Sequence, residues 1–304
     1  MLAGALDVDG STVRTSQGSF RGAAVVDATG WRAVLGSRLR PGMVRRERLN
    51  FGLETTVAYS GDGLHFWYDP RGLLAMGVTW AFPTGALARI GIGSYDGRTQ
   101  LGPRLEHFLG QLGRQRNGLH GTYFPHALRE PTVGDLFLVG DAAGQCLGLT
   151  GEGIRPALFF GTHLGHLLRQ ALDHSDHSVA LSQARDAYRR LVAGYRPGYE
   201  LLCLAQRALP RLPLRLVQAV MAAIEQPAVR RAVLARYIGS FPRGVPTVGH
   251  RYHPGIPADR RWEGRPRMSA RDSATARPGV HAQPRLNAAS ESTATTIRDN
   301  RESA

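Results

Sequence analysis

The pattern of hydrophobic and polar positions predicts strands in the first part of the chain. Short strands with turns at Asp9-Gly10 and Gln17-Gly18 are indicated at the start. The run from Ala23 to Val26 is continuously apolar, which is typical of a strand buried on both faces. Four further strand-like runs between Asn50 and Tyr95, separated by glycine and proline, predict an antiparallel sheet.

Helical spacing of apolar residues appears later in the chain. Residues 102–113 have this spacing, and a second buried strand, LFLV, ends at Gly140-Asp141 and leads into a long apolar helix. The stretch 179–238 is helical in character, with breaks predicted near Pro197, Pro210, Pro213 and Pro227. The order of elements predicts an α/β fold with an inserted antiparallel layer.

Composition and charge narrow the class of protein. The 304 residues are 42% hydrophobic, enough for a sizeable core, and carry a net charge of +14 without a single lysine. Mechanisms that need a lysine are therefore excluded for this chain. Residues 240–304 hold 11 arginines against 6 acidic residues among many Pro, Gly, Ser and Thr, which predicts a disordered basic tail. We find no nucleic-acid recognition motif in the sequence. We therefore interpret the positive net charge as favouring contact with anionic lipid or another polyanion.

Cysteine usage and hydropathy indicate a reducing compartment. Cys146 and Cys203 are too far apart for a zinc ribbon or a disulfide scaffold, and no metal site is predicted. The histidines of HSDHS, residues 174–178, are assigned to a polar loop between helices. The start does not resemble a signal peptide, and no apolar run is long enough to span a membrane. A cytoplasmic protein is predicted.

Two motifs follow the two buried strands. VVDATG places Asp27 and Gly30 at the carboxyl end of the first, where ligands of open α/β sheets bind. LFLVGDAAGQCLGLTGEGI places Asp141 at the tip of the second, followed by small residues and by glycines that open a helix. The alternative for the first motif is an ordinary polar turn, and the alternative for the second is a strand-to-helix loop with a cap. Cys146, within the second motif, is interpreted as an apolar filler or as a redox or proton-donating group.

GDAAG followed by LTGEGI, with VVDATG upstream, resembles the FAD-dependent oxidoreductases and aromatic hydroxylases, and within them the geranylgeranyl reductases. The resemblance implies that Asp141 hydrogen-bonds the ribitol of FAD and that the amides of the TGEGI segment lie beside the flavin pyrimidine ring. The cofactor-binding residues that it implies are Asp27, Gly30, Gly140, Asp141, Ala142, Thr150, Gly151, Glu152, Gly153 and Ile154.

A third motif resembles the reductase pattern Tyr-x-Trp-x-Phe-Pro followed by Gly-x-Gly, with Val78 in place of the tyrosine. In the reductases this segment helps to hold the prenyl chain. The substrate-binding residues implied here are Trp80, Phe82, Pro83, Gly91 and Gly93. An equally good interpretation is that the two aromatic residues alternate onto one strand face and belong to the core.

The resemblance covers residues 8–239 and implies a division into five regions. These are a remnant of the FAD-binding domain (1–49), an antiparallel substrate domain (50–130), the GD motif with its helix (131–178), C-terminal helices (179–239) and the tail (240–304). The GxGxxG that seats the FAD pyrophosphate in this class does not occur in the sequence. We therefore expect an N-terminally truncated chain, through a mis-assigned gene start, a fragment or a separate polypeptide.

The function implied by the resemblance is reduction of carbon–carbon double bonds in a prenyl or isoprenoid lipid, with FAD as cofactor and NAD(P)H as electron donor. A flavin monooxygenase or halogenase is an alternative, although the halogenases use a lysine. A non-catalytic remnant that binds a partner is another. Arg207, Arg211 and Arg215 lie among leucines, which predicts either a peripheral helix on the inner face of the membrane or packing against the FAD domain.

Overall fold

The computed structural model describes residues 3–59, 63–67 and 77–240. The chain forms eleven strands and six α-helices within these ranges. The strands are β1 (Ala5–Asp9), β2 (Thr12–Thr15), β3 (Gly18–Arg21), β4 (Val26–Asp27), β5 (Leu49–Ala58), β6 (His65–Trp67), β7 (Gly77–Pro83), β8 (Leu87–Ser94), β9 (His120–Pro125), β10 (Thr132–Val133) and β11 (Leu136–Leu138). The helices are α1 (Val34–Leu39), α2 (Gly102–Gln111), α3 (Ile154–Leu172), α4 (His177–Ala208), α5 (Leu214–Glu225) and α6 (Pro227–Ser240).

Two small sheets precede and support the candidate motifs. The strands β1, β2 and β3 form an antiparallel meander, with the two turns where the sequence predicts them. The second sheet has the order β10-β11-β4, in which β4 and β11 are parallel with Leu138 opposite Asp27. Parallel pairing brings the carboxyl ends of both strands to one edge, so the DATG and GDAAG turns are neighbours.

The prediction of a strand buried on both faces at 23–26 is wrong. The strand β4 comprises only Val26 and Asp27, and Val26 is 37% exposed. The physical reason is its position at the edge of the three-stranded sheet, where the described residues cover it incompletely. Asp27, in contrast, is fully buried.

The inserted antiparallel layer is a five-stranded sheet of order β6-β7-β8-β5-β9. The helix α2 packs on one face through Leu105, Phe108 and Leu109, the apolar positions that the sequence indicates. The edge strand β9, which the sequence analysis did not assign, pairs with β5 from Leu49–Pro125 to Glu54–His120. Part of the third predicted strand run, 72–76, lies outside the described residues.

The helices α3 and α4 pack against each other and form the largest core cluster, which includes Phe160, Tyr188 and Tyr199. The break predicted at Pro197 is wrong, because α4 continues through this proline from His177 to Ala208. Buried residues on both sides of it, among them Val192 and Leu202, stabilise the continuous helix against the lost hydrogen bond.

The start of α4 lies within HSDHS rather than at Val179. The carboxylate of Asp176 caps the helix by accepting hydrogen bonds from the amides of Ser178 and Val179, both at 3.1 Å. No helix in the described ranges has the length and hydropathy needed to cross a membrane. All described residues belong to one compact unit, 1–249, and the predicted tail lies outside them apart from Ser240.

A buried pair of amide side chains joins the antiparallel sheet to α4. Asn50 Nδ2 donates to Gln206 Oε1 at 3.2 Å, and Gln206 Nε2 donates back to Asn50 Oδ1 at 3.0 Å. Gln206 also donates to the carbonyl of Tyr95, and Asn50 to that of Gly148. These hydrogen bonds fix the sheet relative to the loop that follows GDAAG.

The mixed α/β fold class is confirmed by these elements. The five-region division of the sequence is not tested by them and stays a prediction.

Candidate active site

A cavity of about 730 Å³ lies between one face of the antiparallel sheet and the loop 139–154. This volume is within the usual range of small-molecule sites. Most of the predicted cofactor and substrate residues line it. From the cofactor set these are Gly30, Gly140, Asp141, Thr150, Gly151, Gly153 and Ile154, and from the substrate set Trp80, Phe82 and Gly93.

The turn that carries Asp141 is built by left-handed glycines and by two side chains behind it. Gly140 has φ 64°, and its amide donates to Gln145 Oε1 at 2.7 Å. Arg129 Nη1 donates to the carbonyl oxygens of Asp141 and Ala142, at 3.1 and 3.2 Å. These contacts use the backbone of the turn and not the Asp141 carboxylate. The carboxylate therefore remains available on the cavity side.

The Asp141 carboxylate accepts no hydrogen bond from the part of the chain that the structure describes. Burial raises the pKa of Asp141, and the positive charge of Arg129 opposes this shift. A carboxylate that is desolvated and unpaired is stabilised by a hydroxyl donor. Such a donor is what the ribitol of FAD carries.

The loop from Leu147 to Gly153 forms the other wall. Leu147 N donates to the carbonyl of Glu152, and Gly151 N donates to that of Leu147, both at 2.8 Å. Gly153 precedes the 19-residue helix α3, whose N-terminus has no side-chain cap. The uncapped end of a long helix carries partial positive charge, so it favours electron-rich atoms of a ligand.

Glu152 does not line the cavity and instead holds this loop. Arg155 Nη2 donates to Glu152 Oε2 at 2.8 Å, and Tyr237 Oη donates to the same oxygen at 2.7 Å. Burial alone would raise the pKa of Glu152, but these hydrogen bonds outweigh it and hold the pKa below its usual value. Thr150 also contacts Tyr237, with 2.9 Å between the two hydroxyl oxygens. The helix α6 therefore supports the loop from outside.

Asp27 and Ala142 lie behind the cavity wall. Asp27 accepts hydrogen bonds from Thr29 N at 2.9 Å and from Gly36 N at 2.8 Å, so it shapes the DATG turn and the start of α1. Ala142 is fully buried in the cluster beneath the small sheet. Of the DATG motif, Ala28 and Gly30 line the cavity.

Trp80 covers the Gly-x-Gly segment of β8. A Cβ atom at Gly91 would lie 2.3 Å from the indole ring, and one at Gly93 would lie 3.1 Å from it. The two glycines therefore make room for Trp80, which stacks with Phe82 at a ring-centroid distance of 6.0 Å. Both aromatic side chains are half-buried, so they pack on the sheet and also line the cavity. Pro83 and Gly91 do not line it.

Several cavity residues escaped the sequence analysis. They include Phe66, Tyr95, His120, Thr122 and Phe124. His120, Thr122 and Phe124 are alternate residues of β9. Because alternate residues of a strand lie on one face, this spacing could have predicted that the three share a surface. Arg89 and Glu54, also in the lining, form an ion pair at 3.0 Å.

Cys146 lies in the cavity wall and is buried. Burial raises the pKa of its thiol well above the usual value, and the charges of Asp141 and Glu152 add to the effect. The group is therefore a neutral thiol at physiological pH rather than a nucleophilic thiolate.

The buried His126, behind the site, predicts a pH dependence of stability. Burial, together with Arg207 and Arg48, lowers the pKa of His126 from 6.5 to about 4. Between these values the unfolded chain binds more protons than the folded chain, so the free energy of unfolding falls as the pH falls. We expect a loss of about 2 kcal/mol between pH 8 and pH 5, measured by urea unfolding. The variant His126→Gln should lose this component, whereas the exposed His174→Gln should keep it; an unchanged pH profile in His126→Gln would contradict the assignment.

Comparison with known proteins supports the motif-based interpretation. No family model matches the chain. Digeranylgeranylglycerophospholipid reductase of Thermoplasma acidophilum is 25% identical over 178 residues, which are 53% of this chain and 45% of that protein. The chain therefore spans about half the length of this curated relative.

Among solved structures, a geranylgeranyl bacteriochlorophyll reductase-like protein from Thermoplasma acidophilum superimposes with a TM-score of 0.64 and 21% identity. The match covers 78% of this chain and 66% of that one. A variant of HpxO from Klebsiella pneumoniae complexed with FAD gives a TM-score of 0.51 and 16% identity, over 77% and 66% of the two chains. The chain has the fold of FAD-dependent oxidoreductases, and its predicted resemblance to their geranylgeranyl reductase-like branch is confirmed.

Proposed function

We propose that the chain is part of an FAD-dependent oxidoreductase that reduces carbon–carbon double bonds of an isoprenoid lipid. The observation that carries this proposal is the shared cavity, in which the unpaired Asp141 carboxylate and the aromatic pair Trp80 and Phe82 face one space. The fit to FAD rests on Asp141 as hydroxyl acceptor and on the uncapped N-terminus of α3. FAD, when bound, supplies hydride for the alkene.

The chain's own residues would bind and orient the two reactants. Asp141 and the backbone from Thr150 to Ile154 would hold the ribitol and ring of the cofactor. Trp80, Phe82 and Phe66 would contact the prenyl chain and exclude water from the reacting bond. The side chain of Tyr95 is fixed by a 2.8 Å hydrogen bond from its hydroxyl to the carbonyl of Leu149.

A peripheral contact with an anionic membrane is part of the proposal, because lipid substrates reside there. Leu201, Leu204 and Leu216 are 64%, 63% and 48% exposed in the part of the chain that the structure describes. Arg211 and Arg215 are exposed on the same segment. Exposed leucines beside arginines suit the interface of an anionic lipid bilayer.

The test is product analysis after incubation of the protein with FAD, NAD(P)H and a geranylgeranyl lipid. Addition of one hydride and one proton to each double bond raises the product mass by two hydrogen atoms, and we expect this increment. An increment of one oxygen atom would instead identify a monooxygenase. An unchanged lipid, with FAD bound at the site, would overturn the proposed reduction and favour a non-catalytic binding role.

A further inference from the structure

A second cavity, of about 740 Å³, shares no lining residue with the candidate active site. Three separate segments form it: residues 40–48 after α1, residues 127–130 after β9, and the C-terminal half of α4. We call it the arginine cavity, because six arginines line it: Arg40, Arg45, Arg48, Arg129, Arg196 and Arg207.

Acidic residues compensate only part of this charge. Two acidic residues of the lining, Glu130 and Glu200, and Glu47 between Arg45 and Arg48 leave three of the six positive charges in excess. Arg196 pairs with Glu130 at 3.5 Å, and Arg45 pairs with Glu47 at 2.6 Å. Arg40, Arg48 and Arg207 have no ion pair within residues 3–59, 63–67 and 77–240. Like charges held in one cavity repel each other, so an anion bound among them would stabilise the fold.

Arg129, which lines the cavity, carries a buried donor atom that no described residue satisfies. The Nη2 atom of Arg129 is buried and has no hydrogen-bond partner in the described ranges, whereas its Nη1 atom holds the carbonyls of Asp141 and Ala142. Burial lowers the pKa of Arg129, with the charges of Asp141 and Asp27 acting against this shift. Buried polar atoms are nearly always hydrogen-bonded, so this unpaired donor on a lining residue is a second indication, beside the charge, that a partner is missing.

From these observations we infer that the arginine cavity binds a ligand through a phosphate or diphosphate group. A guanidinium group can donate two parallel hydrogen bonds to the oxygens of one phosphate, and three excess positive charges match a multiply charged anion better than a single carboxylate. The volume leaves room for an organic moiety beyond the phosphate. The inference does not depend on FAD binding or on the proposed reduction, because the two cavities are separate.

The test is calorimetric titration of the full chain with inorganic pyrophosphate at about 150 mM salt, where contacts with exposed charges are screened. The double variant Arg48→Gln/Arg207→Gln is expected to bind at least about tenfold more weakly. The matched control Arg104→Gln/Arg114→Gln removes the same charge from exposed positions outside the cavity and should bind as the parent chain does. Circular dichroism checks that each variant is folded.

A variant that binds pyrophosphate more tightly than the parent chain cannot owe its change in affinity to misfolding. Glu200→Gln removes an exposed negative charge from the lining and should tighten pyrophosphate binding roughly twofold. Absence of binding by the parent chain, or equal losses in the two double variants, would overturn the inference.

A further arm distinguishes the two sources of a phosphate group. Vesicles of phosphatidylcholine with and without phosphatidic acid are sedimented with the parent chain and with Arg48→Gln/Arg207→Gln. Loss of binding to the phosphatidic acid vesicles in the variant identifies a lipid headgroup. Equal sedimentation of both proteins identifies a soluble phosphorylated compound.

Discussion

Replacement of Asp141 by alanine is expected to weaken FAD binding roughly ten- to a hundredfold. The carboxylate accepts no hydrogen bond within the described residues, so a ribitol hydroxyl would be its partner. Loss of a hydrogen bond to a charged group typically removes about 1.5–3 kcal/mol of binding free energy. Fluorescence titration of the parent and variant chains with FAD measures the change.

Asp173→Ala is the matched control for this prediction. Its carboxylate is 63% exposed and pairs with Arg169 at the end of α3, away from the cavity. We expect unchanged FAD affinity in this variant. Equal affinity of Asp141→Ala and the parent chain would remove Asp141 from the cofactor site.

Gly144→Ala is expected to reduce the free energy of unfolding by roughly 3–5 kcal/mol, which is in the upper range for single substitutions. Gly144 ends the GDAAG turn with φ 69°, a left-handed conformation that strains any residue with a Cβ atom. A Cβ atom here would also lie 2.1 Å from the carbonyl oxygen of Ala127 and 2.9 Å from Arg129 N. Both neighbours are backbone atoms, so relief requires the segment to move.

Gly134→Ala separates these two effects. Gly134, in the turn between β10 and β11, has φ 55° but no atom within 4 Å of the Cβ position. It should lose only about 1 kcal/mol, the penalty of the left-handed backbone. Urea unfolding followed by circular dichroism compares the variants, and similar losses in the two would show that the contact with Ala127 is unimportant.

The sequence predicted the local parts of the site because their signals are local. A buried strand, an aspartate and closely spaced glycines identify the turn at Asp141 and the start of α3 without knowledge of the rest of the chain. The spacing of Trp80 and Phe82 likewise placed both on one face of β7. The positions of these residues follow from the periodicity of a single strand or from a single turn.

Contacts between distant segments escaped prediction for a physical reason. The strand β9 lines the cavity because it pairs with β5, about seventy residues earlier in the chain, and such pairing depends on the whole sheet. The role of the Glu152 side chain could not be predicted either, because Tyr237, which donates a hydrogen bond to its carboxylate, lies 85 residues later in the chain. Similarly, the six arginines of the arginine cavity come from three segments and form no motif along the chain.

The glycines of β8 make one side chain responsible for two properties of the cavity. Glycine within a strand weakens the strand, since it adds backbone entropy to the unfolded state and offers nothing to pack. At Gly91 and Gly93 the indole of Trp80 fills the groove that this leaves. The indole ring of Trp80 thus determines both how deep the cavity is above β8 and how rigid β8 is. Replacement of Trp80 by a smaller residue in the course of evolution would admit a bulkier molecule to the cavity. The same replacement would remove the packing on Gly91 and Gly93, so broader specificity and a less ordered sheet would arise together.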